Sequence, residues 1–437
     1  MPERKDTADL AISSNDQAKN IFKLKYQIEL NGQCNSVRSV RLTSDNRYLI
    51  ITYEISIPRI RVVDLDKLEF LSHQFADHTD TVRMTCITKD NKAFYTASWD
   101  GSSRRFEIES GKCTQILRCP GRIPNCILDS EQKFLFTASY DCDIESKNTG
   151  RCWDLSSGKI VKVYRNNDER IFIEGNDITY NDGKVYTGGD EGCAYQWNIN
   201  DEKPLLKYFS FQGSVRKMAL SANYFAAACT DGLVRVHDKL SGEYYRYFSH
   251  AYRPVRDVCI SKDETKLWSA IDDGSVSCFN LTSGELIYNR KIHDSCIWSM
   301  CLRCDEKIMI TGSRDGSVVF LSADSGQILA RLYNLQDKKD FLITCPPDKI
   351  FPDGFFYTTN KNFIQVFIED KEKGIQEKLN LSDPRRDAYI NKLNLRNLII
   401  TRLKSNEKYT SLTERYTRNQ KMIDLINTRK FPHLLKP

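Results

Sequence analysis

The sequence predicts an all-β fold built from a repeated four-stranded unit, and three observations carry that expectation. An apolar run, a small residue, an Asp-Gly pair and a second strand-like run recur around Asp100-Gly101, Asp231-Gly232, Asp273-Gly274 and Asp315-Gly316. The residue ending the third strand of each unit, taken as Val63, Phe106, Trp153, Trp197, His237, Phe279, Leu321 and Phe367, recurs at intervals of 43, 47, 44, 40, 42, 42 and 46. A steady period of this size marks a repeat architecture. Ser-Gly turns at Ser110, Ser157, Ser241, Ser283 and Ser325 then lead into a fourth strand.

In chain order, residues 1–19 are polar and charged and are expected to be disordered, and residues 20–381 hold the repeats. Residues 21–30 alternate apolar and polar, as a half-buried strand does. Each unit opens on a strand such as Val37–Leu42, Val82–Ile87, Val215–Leu220, Val255–Ile260 or Ile297–Leu302, followed by a polar turn and the Asp-Gly hairpin. Asp-Gly is a hairpin signal because a two-residue turn needs positive φ, which Gly adopts without a Cβ clash. Four antiparallel strands cannot bury both faces alone, so the units stack, and radial closure protects the last edges. The third unit inserts residues around 142–150. The last unit keeps three strands, lacks Asp-Gly and carries Pro346, Pro347 and Pro352; residues 21–30 are available as its fourth strand. Eight units in a ring are expected, with seven plus an appended hairpin as the alternative.

These units resemble WD repeats, whose family builds β-propellers from four-stranded blades. The name-giving pair stands as Trp153-Asp154, with Trp197-Asn198, Phe106-Glu107, His237-Asp238, Phe279-Asn280 and Val63-Asp64 as looser versions. The resemblance implies a hydrogen-bonded structural network of His, Ser or Thr, Asp and Trp. His78, Ser98 and Asp100 match three of its positions in one unit, and His293, Ser313 and Asp315 in another. It also implies that the residue before each turn Asp faces partners from the top of the ring. Those residues are Trp99, Tyr140, Asp190, Thr230, Asp272 and Arg314. Trp, Tyr and Arg are the types enriched at binding hot spots.

Residues 382–437 are of a different kind: a basic, helical C-terminal extension. Ser382-Asp383-Pro384 reads as a helix start, with Tyr389, Leu393, Ile400 and Leu403 as an apolar stripe, and a second helix is expected over 411–428. From residue 383 onward there are 13 Lys and Arg against 5 Asp and Glu, a balance of +8; the other 51 against 53 give −2, and the whole chain +6. Arg385, Arg386, Arg402, Lys404 and Lys408 are the expected contact residues.

Catalysis finds no support among the motifs: no nucleophile elbow, phosphate loop or metal-binding helix is present. His293, Cys296, Cys301 and Cys304 have a zinc-like spacing, but neighbouring strand residues point to opposite faces and no second ligand pair follows. No metal, cofactor or small-molecule substrate is expected. No apolar stretch reaches the length of a membrane span. The 15 cysteines are scattered through expected strands as buried thiols, which fits the cytosol or nucleus. The expected function is a non-enzymatic protein-interaction scaffold, its ring presenting top-face loops and its basic helices anchoring it in a multi-subunit assembly. The alternatives are a ribonucleoprotein subunit contacting RNA through the tail, and the sensing module of a signalling or defence system.

Overall fold

Strand formation follows the expected pattern across the repeat region. The structure, a computed structural model, describes residues 7–10, 22–28, 35–54, 59–140 apart from 74, 76 and 77, 148–165, 175–208 apart from 191 and 202, 212–334, 341–348, 354–358, 364–370, 375–378 and 395–404. It divides into two compact units, Asn35–Gln327, and Met1–Cys34 with Ile328–Pro437.

The first unit contains six four-stranded antiparallel sheets and the first three strands of a seventh, the blades of a seven-bladed propeller. Their innermost strands are Val37–Leu42, Val82–Ile87, Cys126–Leu128, Gly175–Asn181, Val215–Leu220, Val255–Ile260 and Ile297–Leu302. Second strands such as Tyr48–Tyr53, Ala93–Ser98 and Ile308–Ser313 are buried at every residue, because a neighbouring blade covers each face. Their sequences are accordingly continuous runs of apolar and small residues without alternation. Fourth strands such as Leu286–Lys291 are mostly exposed. The core therefore lies between blades: Ile50, Val62 and Phe75 meet Phe94 and Phe106, and Phe136 and Tyr164 meet Ile178, Val185 and Trp197.

Closure occurs after seven blades, the stated alternative to eight. The Val40 amide donates to Ser299 Oγ at 3.3 Å and Arg41 donates to the Met300 carbonyl at 3.0 Å, joining the first blade directly to the seventh. The strands expected for an eighth blade divide between two sheets. Phe341–Cys345 pairs with Ile328–Asn334 and Phe355–Thr358, whereas Ile364–Asp370 pairs with Phe22–Ile28 and Ile375–Lys378. The sequence has no Asp-Gly pair between the second expected strand and the third, and among the described residues the two do not pair. Thr7–Leu10, inside the segment expected to be disordered, pairs as an edge strand with Phe22–Ile28.

The Asp-Gly hairpins have three loop residues, not two. The strands flanking Trp99-Asp100-Gly101 end at Ser98 and resume at Ser102, and the same count holds at Arg314-Asp315-Gly316. Only the glycines have positive φ, +74° at Gly101 and +82° at Gly316, so each hairpin is a turn followed by one left-handed residue. The turn Asp accepts the amide two residues on, at 2.9 Å for Asp100 and 2.8 Å for Asp315. The residue before each Asp is thereby placed outside the strand ladder.

Two blades carry a buried network at this hairpin. His78 shares hydrogens with Asp100 Oδ2 at 2.7 Å and Thr96 Oγ1 at 2.7 Å; His293 does so with Asp315 at 2.9 Å and Thr311 at 2.8 Å. The hydroxyl facing each His is thus Thr96 or Thr311, and not Ser98 or Ser313. Those serines, two residues on along the same strand face, bond instead to the Asp80 and Ser295 carbonyls. Burial raises the Asp100 pKa, but the hydrogen bonds from His78 and Ser102 outweigh it and hold the carboxyl well below its usual range. Where Trp is present it bonds to the same hydroxyl position, Trp153 to Thr137 at 2.9 Å and Trp197 to Thr187 at 3.0 Å.

His250 is a buried neutral histidine, its Nε2 3.1 Å from Ser269 Oγ and its ring against Phe279. Burial pushes its pKa down to about 4 from 6.5. The unfolded chain protonates this group near pH 6.5 while the folded ring does so only near 4, so its contribution is complete above pH 6.5. It is lost as pH falls through that window, by about 3 kcal/mol. A His250→Gln variant is expected to show a shallower fall in Tm between pH 6.5 and 4 than the parent; equal slopes would contradict this assignment.

Candidate interaction site at the inner rim of the propeller

Antiparallel pairing places the start of each blade's first strand beside the end of its second, so first-strand entrances and Asp-Gly hairpins share one end of the ring. In six of seven blades the second residue of this entrance is a β-bulge, shown by register shifts after Val37, Val82, Gly175, Val215, Val255 and Ile297. A bulge leaves its extra residue out of the ladder and re-aims its side chain. The bulged residues are Arg38, Arg83, Asn176, Arg216, Arg256 and Trp298. None was among the residues expected from the sequence, although the signal was there: Val-Arg opens the first strand in four blades.

Bulge and hairpin residues meet as complementary pairs. Arg38 bonds Glu54 at 2.8 Å; Glu54 occupies the hairpin position in the first blade, which lacks Asp-Gly. Arg256 bonds Asp272 at 2.7 Å. Asp190 accepts from Asn176 at 2.7 Å and lies 3.5 Å from Arg216. Asn176 also accepts from the Tyr140 hydroxyl and, at 3.0 Å, from Arg216. Arg314 is exposed, and its charge helps lower the Asp272 pKa; burial alone would raise it, but hydrogen bonds from Cys296 and Arg256 oppose that more strongly. Thr230 is half-buried, its amide bonded to the Ser214 carbonyl.

Trp99 is the centre of the basic side of this rim. The guanidiniums of Arg122, Arg83 and Arg38 lie 4.7, 5.2 and 5.7 Å from its ring, and Arg38 also sits 3.5 Å from Trp298. Cation–π attraction offsets part of the repulsion among these cations. Burial, with the charge of Arg83 beside it, still presses Arg38 down to about 9; burial and the guanidiniums of Arg216 and Arg256 press Arg83 down as well.

Below the rim the inner strands are bonded blade to blade. Asp177 accepts from Lys217 at 2.8 Å and from the Met218 amide at 2.7 Å, and Asp257 accepts the Met300 amide at 2.7 Å. The rim arginines therefore stand on a connected polar layer.

The expected top-face residues gather at this rim, and Trp99, Tyr140, Asp190 and Asp272 bond or stack with its bulge residues. Of the tail residues, Arg385, Arg386 and Lys408 lie outside the described residues. Arg402, on the helix Arg396–Lys404, is 3% exposed and lies 3.7 Å from Asp348, with its guanidinium over Phe355. It packs within its own unit because its apolar stem and charge both have partners there, whereas Lys404 at the helix end is exposed. His293, considered for zinc, has both ring nitrogens engaged with Asp315, Ser317 and Thr311. Among the described residues no cluster of His, Cys, Asp and Glu could hold a metal ion, and no helix is long and apolar enough to cross a membrane.

Residues 284–320 match the family model described as WD domain, G-beta repeat. Among curated proteins the chain is similar to mitotic checkpoint protein BUB3.3 of Arabidopsis thaliana, 25% identical over 285 residues covering 61% of this chain and 85% of that protein. It is also similar to the WD repeat domain-containing protein 83 homolog of Dictyostelium discoideum, 22% identical over 321 residues, 71% of this chain and 89% of that one. The WD repeat-containing protein 91 homolog of the same organism is 21% identical over 47% of this chain, which spans 27% of that longer protein. With the repeat period, the His–Asp hairpin networks and the seven-bladed closure, these likenesses support a WD-repeat β-propeller, a class of proteins that serve generally as protein-interaction scaffolds.

Proposed function

We propose that this chain is a non-enzymatic scaffold that receives a protein partner on the inner rim, while its basic segment from Arg385 onward holds the ring in a larger assembly. The observation that supports it most is the half-buried Trp99 indole among three guanidiniums, on a rim whose side chains are re-aimed by bulges. Bulges cost ladder bonds, and six of them at one end of a ring are better explained by presentation of side chains than by stability. Aromatic and Arg anchors are the side chains that dominate binding energy at interfaces.

Site-specific photo-cross-linking tests this reading in native extract. p-Benzoylphenylalanine at exposed Arg122 is expected to capture a protein, whereas the same group at Tyr247, 57% exposed on the outer strand Tyr244–Ser249, is not. Capture from position 247 alone would move the partner site to the blade edges. Reversing Arg385, Arg386 and Lys408 to Glu is expected to leave the rim cross-link and reduce the size of the native complex. If nuclease abolished that complex, contact with RNA through the tail would replace the protein anchor.

A further inference from the structure

We infer that the outer strand of the third blade, Lys159–Arg165, is a separate docking edge, to which an extended acidic segment of a protein partner adds as a fifth strand. This surface is on the outside of the ring and stands or falls independently of the rim.

An outer strand that ends its sheet presents a row of unpaired N–H and C=O groups, a template for one more strand. The repeats blunt that edge unequally. In the first and fourth blades the outer strand is cut to Glu69–Phe70 and Leu206–Tyr208. Ile328–Asn334, which follows the Ser325-Gly326 turn, is covered, because Phe341–Cys345 pairs with it along Arg331–Asn334. The chain thus adds a strand of its own at the fourth-strand position of one repeat. Lys159–Arg165 is equally long at seven residues, and it is the last strand of its sheet. Counted from the Ser-Gly turns, its Val163–Arg165 corresponds to Arg331–Tyr333, where the added strand begins to pair.

Charge and side chains say what this edge would take. The other uncovered outer strands of similar length, Cys113–Arg118, Tyr244–Ser249 and Leu286–Lys291, carry one, one and two cations, whereas Lys-Ile-Val-Lys-Val-Tyr-Arg carries three and no acid. Ile160 and Val161 are 39% and 53% exposed, and with Val163 they are the β-branched type that favours strand pairing. The register sets Lys159 against Asp154 and Lys162 against Cys152, with Val161 as the extra residue of a bulge, so the two lysines share a face. The Asp154 carboxylate is taken by the amides of Ser156 and Ser157 at 2.8 and 3.0 Å, and Lys162 Nζ lies 3.4 Å from the Asn200 carbonyl. Among the described residues no carboxylate pairs with either lysine. A second copy of this edge fits badly: antiparallel pairing centred on Lys162 would set Lys159 against Arg165 and Lys162 against itself. Like charges directly opposite destabilise a sheet, and opposite charges support it. The cations that keep the edge from its own kind therefore select an acidic strand, held by main-chain bonds along the edge.

The test titrates the full chain with three fluorescently labelled heptapeptides: Glu-Val-Glu-Val-Glu-Val-Glu, its counterpart with Lys for Glu, and Glu-Pro-Glu-Pro-Glu-Pro-Glu. Alternation puts the four acids on one face of a strand, and the proline peptide keeps the charge but cannot complete a ladder. The glutamate–valine peptide is expected to bind at least about ten-fold more tightly than either of the others. It should also slow hydrogen exchange in Lys159–Arg165 and leave Tyr244–Ser249 unchanged. Lys159→Glu combined with Lys162→Glu should turn the preference to the lysine peptide, which an unfolded variant could not do. Arg290→Glu combined with Lys291→Glu, on the outer strand of the sixth blade, should leave the original preference intact. Equal binding of the glutamate–valine and glutamate–proline peptides would reduce the edge to a charged surface and overturn the proposal. Protection on a different outer strand, or a preference that survives the first double variant, would overturn it as well. Concentration-dependent dimers of the chain that this variant abolishes would make a second copy the occupant and reject the acidic partner.

Discussion

Replacing His293 with alanine is expected to destabilise the propeller by about 3–5 kcal/mol, the range for removing one partner of a buried ion pair or its hydrogen-bonded equivalent. The ring nitrogens of His293 serve Asp315 at 2.9 Å, Ser317 at 3.0 Å and Thr311 at 2.8 Å, all within the seventh blade. Its side chain is fully buried and that of Asp315 is 4% exposed. Alanine leaves the Asp315 carboxylate with the Ser317 hydroxyl and amide and the Asp294 amide but without its ring partner, in a site that water reaches poorly. Urea unfolding of the full chain measures this directly. The midpoint should fall with the slope unchanged, and His78→Ala should behave alike in the second blade, where the same geometry recurs. A loss below 1 kcal/mol in both variants would mean that these networks are ornaments of the turn and not its support.

Gly312→Val is expected to open the ring at its closing joint, at a cost of about 3 kcal/mol, near the upper end for overpacking a tight core. A Cβ on Gly312 would lie 2.6 Å from Val37 Cγ1 and 3.0 Å from Val40 Cγ1, so a valine has no room unless the first blade withdraws from the seventh. That withdrawal would break the Val40–Ser299 bond across the joint. Hydrogen exchange should accelerate in Val37–Leu42 and Ile297–Leu302 while the amides of Val215–Leu220, on the far side of the ring, stay protected. If another blade stood between the first and seventh, the substitution would be tolerated and no such focus would appear.

Much of this architecture can be read in the sequence because the repeat is periodic. Val63, Phe106, Trp153, Trp197, His237, Phe279 and Leu321 are each the penultimate residue of a third strand. The blade number could not be read from the same pattern. Phe355–Thr358 and Ile364–Asp370 have the composition of blade strands, yet which strand pairs with which depends on hairpins, and the Asp-Gly hairpin that would join them is missing from the sequence. Ser98, expected from the resemblance to face His78, gives way to Thr96 for a related reason: residues two apart on a strand share a face, so only depth decides which one the histidine reaches. The bulge arginines Arg38, Arg83, Arg216 and Arg256 were overlooked because a bulge is a property of pairing. A regular strand would have buried Arg38 or Arg83 against the next blade, and only the register shift turns them to the rim.

The central claim, that a partner sits on the inner rim, is tested most directly by the chain's five tryptophans. Trp153, Trp197 and Trp268 are buried inside blades, whereas Trp99 and Trp298 are half-buried at the rim. With 5-fluorotryptophan incorporated and each signal assigned by single Trp→Phe variants, fluorine NMR can follow titration with the protein recovered from the Arg122 cross-link. The account predicts that the Trp99 and Trp298 resonances shift or broaden while the three blade resonances hold still. Saturating binding that leaves Trp99 and Trp298 unmoved would contradict it.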